Sequence, residues 1–306
     1  MRIGIHSFVE STNLEGAIQQ VVKAEEEGFD SFWFGQTLGA DVMTAIALAG
    51  QRTERIEIGV AVVPTYSRHP FAMAQQALTV QAATGGRFTL GIGPSHRPLI
   101  EGMWGLSYDR SAQHVREYLS VLRDLVQNGH ASLSGELYRV SGALQLAGAQ
   151  PCSILVSALA PMMLRIAGKL SDGTITWMTG PRTVETHIVP RISAAAEAAG
   201  RPSPRVCVAL PIAVTADVDD ARQRAARIFQ MYGHLPNYRR VLDREGVSGP
   251  EDVAIVGGER DVEAALRALA AVGATDFLAV MFAAEDDRRQ SIARTREFLR
   301  DLVGNV

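Results

Sequence analysis

The sequence predicts a (β/α)8 barrel. Eight short runs rich in Val, Ile and Phe lie at residues 2–8, 29–34, 56–63, 87–92, 153–157, 173–177, 206–214 and 275–281, and a segment of helical period follows each. The punctuation between them agrees: "EEGFD" (26–30) and "AVGATDF" (271–277) each place a Gly where a helix must close before an apolar strand begins. Eight strands, each followed by a helix, make one barrel, and 306 residues suit a single such domain spanning 1–306.

Taken in order, the helical segments are 14–27, 41–51, 71–83, 112–127, 161–170, 183–199, 217–232 with a later piece at 262–272, and 288–303. Pro64 ends the third strand, because proline has no N–H to pair, and Pro70 suits the first turn of the helix that follows. "ATGGRF" (83–88) precedes a strand, so its paired glycines belong to a helix-to-strand turn and not to a phosphate loop. Residues 129–150 alternate polar and apolar positions with several glycines, predicting a small hairpin before the fifth strand. Residues 233–260, with "HLPNYRR" and "VSGPED", interrupt the seventh unit after its helix.

A formal net charge of −3, with no Lys/Arg run, argues against nucleic acid or a membrane surface as partner and favours a small molecule. Cys152 and Cys207, the two cysteines, sit in apolar runs and read as buried thiols of a reducing cytoplasm. Residues 1–8 do not read as a signal peptide and no apolar run reaches membrane-spanning length, so a soluble cytoplasmic protein is expected.

In this fold the chemistry sits at the C-terminal ends of the strands. Those positions are His6 and Ser7; Gly35 and Gln36; residues 62–69, 93–97, 157–161 and 177–181; and Met281 and Phe282. Three stretches stand out. In "VPTYSRHP" (63–70), Arg68 is either a carboxylate or phosphate binder or a structural cation, and His69 either a helix cap or a catalytic group. In "GIGPSHRP" (91–98), glycines admit close approach of a ligand, and His96 is either a general acid or base or a loop hydrogen-bonder. In "VSALAPMMLRIAG" (156–168), Ser157 and small residues lead into a helix N-terminus, which is either a phosphate cradle or simple capping. There is no metal-binding spacing, P-loop, nucleophile elbow or GxGxxG opening a helix, which favours chemistry carried by a cofactor.

"VPTYSRHP", "ATGGRFTLGIGPSHRP", "GLSYDRSAQHVREYL" and the long run from Ala158 resemble, in the right order along nearly the whole chain, the luciferase-like monooxygenase superfamily, and in particular its actinobacterial branch using the deazaflavin coenzyme F-420. The resemblance implies a hydride-transferring oxidoreductase acting on a small organic substrate. Its ring system would rest against a bulge near Ala61, Val62 and Val63, a bulge that often contains a non-prolyl cis peptide, with Thr65 beside it. Gly93, Pro94, Ser95 and His96 would line the ring and ribityl chain. Ser157, Ala158, Leu159, Ala160 and Met162 would hold the phosphate, and Trp177 and Met178 would cover part of the cofactor. Arg68, Arg97, Arg165 and Arg182 are the cations placed to meet its anionic tail.

"FGQTLG" (34–39) departs from the family pattern, in which an acidic residue often follows the second strand. Gln36 stands at that catalytic position and cannot donate a proton as an acid. His96 or a residue of the 233–260 insertion would then supply the proton, with Glu101, Tyr108 and His114 as secondary candidates. The alternatives are an FMN-dependent monooxygenase on the same scaffold, a flavin- or deazaflavin-binding protein without turnover, and an unrelated barrel enzyme acting on a sugar phosphate. A homodimer is the oligomer the resemblance implies.

Overall fold

The computed structural model describes residues 1–8, 13–148 and 150–306. In chain order the elements are β1 (Arg2–Phe8), α1 (Leu14–Glu26), β2 (Ser31–Gly35), α2 (Val42–Gly50), β3 (Glu57–Pro64), α3 (Pro70–Ala83), β4 (Phe88–Gly93), α4 (Arg97–Gly102) and α5 (Ser111–Asn128). A hairpin of β5 (His130–Ser134) and β6 (Arg139–Ala143) follows, then β7 (Ser153–Ser157), α6 (Pro161–Leu170), β8 (Gly173–Trp177) and α7 (Pro181–Thr183), which continues through a π-turn (Val184–Ile188) into α8 (Val189–Glu197). The last third holds β9 (Arg205–Val214), α9 (Val218–His234), α10 (Pro236–Glu245), α11 (Pro250–Val253), β10 (Ile255–Gly257), α12 (Glu259–Ala271), β11 (Asp276–Met281) and α13 (Arg288–Leu302).

Eight of these strands close on themselves in the order β1-β2-β3-β4-β7-β8-β9-β11, every pairing parallel. The (β/α)8 barrel expected from the sequence is therefore present, and the expected hairpin is β5–β6. Its turn is held by the Glu117 carboxylate, which accepts from the N–H groups of Leu137 (2.9 Å) and Tyr138 (3.0 Å). Gly28 and Gly273 adopt φ of +86° and +98° after α1 and α12, the left-handed closure that glycine takes without a Cβ penalty.

Both helical pieces expected in the seventh unit are present, as α9 and α12. α12 packs beside β9 and β10 just before the chain returns to β11, whereas α9 packs chiefly on α10 and α11 and also meets β10. The buried stripe of α9 is Ala221, Ala225 and Phe229, and Phe229 rests on Trp177 and Phe282 at the ends of β8 and β11. The short β10 extends the same edge of β9 beyond the point where β8 stops: β8 pairs with residues up to Ala209, and β10 with Ile212 to Val214.

The barrel is plugged from below. At its N-terminal end Arg205 pairs with Glu57 (2.9 Å) and Asp276 (2.7 Å), and Arg2 joins Asp276 (3.3 Å). The Arg205 guanidinium beside it holds the Asp276 carboxyl below its usual range despite burial. Above this layer lies Trp33, fully buried, its indole N–H donating to Ser31 Oγ at 2.8 Å. A Cβ on Gly59 would overlap the Trp33 ring, so the glycine makes room for it. Leu155, Ile175, Cys207, Ala209 and Leu278 complete the plug. Cys152 and Cys207 are both buried free thiols, and burial pushes Cys152 up to about 12 and Cys207 well above the ordinary thiol range.

Candidate active site

The C-terminal mouth begins at a defect in β3. The β3–β4 register shifts between Val60 and Val63, and the Ala61–Val62 peptide is cis, at the position where the bulge was expected. His6, on the neighbouring β1, reaches the bulge with Nε2 at 3.3 Å from the Ala61 carbonyl. A carbonyl accepts only, so Nε2 carries the proton, and the buried Nδ1 has no partner among the described residues. Burial pushes this imidazole down to about 4, so it is neutral near pH 7.

Beyond the bulge the chain is tied to the end of β4. Thr65 N–H donates to Gly93 O (2.9 Å), and Thr65 Oγ1 lies 3.3 Å from the same carbonyl and 2.8 Å from His114 Nε2. His114 Nδ1 is 3.2 Å from the Tyr138 hydroxyl, and its ring stacks on Tyr66 at 3.9 Å. His114 is therefore an internal brace, also pushed down to about 4 by burial. His69 is the N-cap of α3, its Nδ1 accepting from Phe71 N–H at 3.3 Å.

The mouth wall over β2, β3, β4 and β7 is made of small residues: Gly35, Ala61, Gly93 and Ser157. A Cβ on Gly93 would lie 3.0 Å from Val62 Cγ2 and 3.1 Å from Ser157 Cβ; one on Gly35 would lie 2.7 Å from the Phe8 ring and 3.3 Å from His6 Cε1. Past Gly93, Pro94 and Ser95 are half-buried, and Ser95 takes a φ of +59° while its carbonyl accepts from Tyr108 Oη at 2.9 Å. His96 is also half-buried. It makes no side-chain hydrogen bond among the described residues, its ring lies 5.6 Å from that of Tyr238, and burial lowers its pKa.

An aromatic wall closes the other side. From His96 it runs through Tyr238 and Tyr232 (5.1 Å apart) to Trp177 (5.4 Å from Tyr232) and Phe229 (5.8 Å from Trp177), so α9 and α10 lie over the mouth as a cover. The cover is fastened where α10 ends: the Glu245 carboxylate accepts from the N–H groups of Arg182 (3.1 Å) and Thr183 (2.8 Å), capping the helix that follows β8. Met178 is fully buried in the core, with φ of +56°.

Ser157 does not cap α6. The N-cap is Ala160, which has no side chain able to accept, and Ala160, Pro161 and Met162 are exposed. The carbonyls of the preceding loop are held instead, Val156 O and Ala158 O by Thr174 Oγ1 (2.8 and 3.4 Å) and Leu159 O by His187 Nε2 (2.7 Å).

Other residues singled out from the sequence are engaged elsewhere. Gln36 spans the second strand-to-helix loop, its Oε1 accepting from Val42 N–H (3.0 Å) and its Nε2 donating to Thr37 O (3.1 Å). Arg68 is ion-paired with Asp41, the N-cap of α2. Arg97 pairs with Glu101 (2.5 Å) and Asp109 (3.1 Å), and Glu101 also accepts from Tyr108 N–H. Arg165 and Arg182 are exposed on the first turns of the helices after β7 and β8. Periodicity gave no sign of His187, Tyr232 or Tyr238 at this mouth, and His6 was legible only as a strand end. Among the described residues there is no cluster of His, Cys, Asp or Glu able to hold a metal, and no helix long and apolar enough to cross a membrane.

The family model of the luciferase-like monooxygenases matches residues 1–298. A 5,10-methylenetetrahydromethanopterin reductase of Methanolobus tindarius is 28% identical over 260 residues, covering 84% of this chain and 78% of that protein. The coenzyme F-420-dependent tetrahydromethanopterin reductase of Methanopyrus kandleri superposes with a TM-score of 0.79 at 20% identity, covering 99% of this chain and 97% of the other. The oxygenating constituent of the 3,6-diketocamphane monooxygenase of Pseudomonas putida, solved with FMN, gives 0.78 at 17% identity with 99% and 97% coverage. The cis bulge and the uncapped helix thus stand in a scaffold shared by deazaflavin- and FMN-linked enzymes, and with its model matched almost end to end, this chain belongs to the luciferase-like monooxygenase family.

Proposed function

We propose that the chain is an oxidoreductase that binds the deazaflavin coenzyme F-420 in the barrel mouth and exchanges a hydride with a small organic substrate. The observation that carries this is the meeting, at one mouth, of a slot walled by Gly35, Ala61, Gly93 and Ser157 with an uncapped helix N-terminus at Ala160. A planar ring on a phosphorylated chain needs both. The coenzyme F-420 dependence of the Methanopyrus kandleri reductase favours the deazaflavin, and the FMN-bound neighbour keeps FMN as the second reading.

The residues present fit such a group. The side of the slot formed by β3 is the bulge, braced by His6; the free amides after β7 suit a phosphate. Bound there, the deazaflavin would supply a ring carbon that accepts or gives a hydride pair. The protein's own part is to position the substrate and exclude water, and the aromatic cover of Trp177, Tyr232 and Tyr238 serves both ends. His96, neutral and without a hydrogen-bond partner among the described residues, is the group placed to hold or take the substrate's proton. Gln36 is left with a loop-fixing role.

Binding and turnover assays test these assignments separately. Gly93→Ala should weaken deazaflavin binding at least tenfold and lower the unfolding midpoint only modestly, since the one added Cβ comes within 3.0 Å of Val62 Cγ2 and 3.1 Å of Ser157 Cβ and presses both side chains toward the slot. A folded variant that binds the deazaflavin as tightly as the wild type would remove Gly93 from the site. His96→Ala should lower kcat by about 100-fold at unchanged cofactor affinity; an unchanged kcat would return His96 to a wall residue.

A further inference from the structure

His187 lies behind the mouth, 2% exposed, in the π-turn between α7 and α8, where each turn holds one residue more than an α-helix. Its Nε2 is 2.7 Å from Leu159 O, so the imidazole is the donor of that bond and, in the neutral ring, the buried Nδ1 is unprotonated and has no partner among the described residues. On β8, the hydroxyl of buried Thr174 donates to Val156 O at 2.8 Å and shares its one proton with Ala158 O at 3.4 Å. In a trans peptide the carbonyl and the next N–H point in opposite directions. Drawing Ala158 O and Leu159 O back onto β8 and the π-turn therefore turns the N–H groups of Leu159 and Ala160 forward, away from the protein. They join the N–H groups of Met162 and Met163, which the first turn of α6 leaves unpaired. None of these four amides has an acceptor among the described residues.

We propose that His187 is the positioning residue of the phosphate cradle: without touching the ligand, it fixes the direction of the Leu159 and Ala160 amides that receive a phosphate oxygen. This rests on the cradle assigned above to the loop after β7. The ligand class is the phosphate of a flavin-type cofactor, and a phosphate-free analogue gains nothing from His187.

The test titrates the 306-residue protein, His187→Ala and His187→Gln with two matched pairs, the 5′-phosphate of the deazaflavin riboside against the riboside itself, and FMN against riboflavin. Wild type should prefer the phosphorylated member of the pair it binds. His187→Ala should lose about tenfold in affinity for that member and less than about twofold for its phosphate-free partner. His187→Gln, whose amide can donate to the same carbonyl, should recover most of the loss. A wild type that keeps the preference beside a His187→Ala variant that also keeps it, or that loses both members equally, overturns the role of His187 alone. A wild type with no preference for phosphate in either pair overturns the cradle itself. Where His187→Ala fails to fold, His187→Gln and Thr174→Val, which removes the other tie on the loop, give the same readout: Thr174→Val should lose the phosphorylated member selectively while His187→Gln retains it, and a non-selective loss overturns the proposal.

Discussion

Two buried imidazoles brace the mouth, and their chemistry makes the fold sensitive to acid. His6 and His114 are both pushed down by burial from 6.5 to about 4, so they stay neutral in the native protein where an unfolded chain would already bind protons. Between about pH 6.5 and 4 the unfolded state therefore carries the greater number of protons at these sites. The stability they confer is complete above 6.5 and is lost as the pH falls toward 4. Denaturant unfolding followed across that window should show a falling free energy, and His6→Asn should flatten the slope by about one proton, roughly 1.4 kcal/mol per pH unit. An unchanged slope would mean that His6 is not held neutral. At this scale the sequence is least informative. Arg68 and Asp41 are 27 residues apart, so nothing local shows that the rim cation is already paired. Gln36 likewise reads as the place of a missing acid until its amide is seen bonded to Thr37 and Val42. His187 is hidden for a related reason: its partner, Leu159, is 28 residues away across a helix and a strand.

At the scale of elements, the strands were legible because parallel barrel strands are buried on both faces and read as short, solid apolar runs. β2 and β4 are buried at every position, and their bounds differ from the expected ones by no more than two residues. The Gly closures of α1 and α12 were legible for an equally local reason, the need for a positive φ. α9 was legible as a helix but its partners were not, because a buried stripe at i, i+4 and i+8 says that a helix packs on something and not on what. Its stripe meets the aromatic groups above the mouth, and the true return helix is α12. β10, at three residues, and α4, at six, are too short to generate a period at all. The bulge in β3 was anticipated in position, at Ala61 and Val62, only through family resemblance, since no feature of "GVAVVP" alone announces it.

For the molecule as a whole, one end of the barrel is committed to stability and the other to chemistry. The floor is sealed by Arg205, Glu57 and Asp276 and then by Trp33, so a ligand can enter only from above. Above Trp33 the small residues of the mouth, the free amides after β7 and the aromatic cover of α9 and α10 converge on one space. We propose that this space takes a deazaflavin. The most direct test is a fluorescence and calorimetric titration of the purified protein with coenzyme F-420 and with FMN under matched conditions. Coenzyme F-420 should bind saturably and at least tenfold more tightly than FMN. A preference for FMN, or binding of neither, would contradict it.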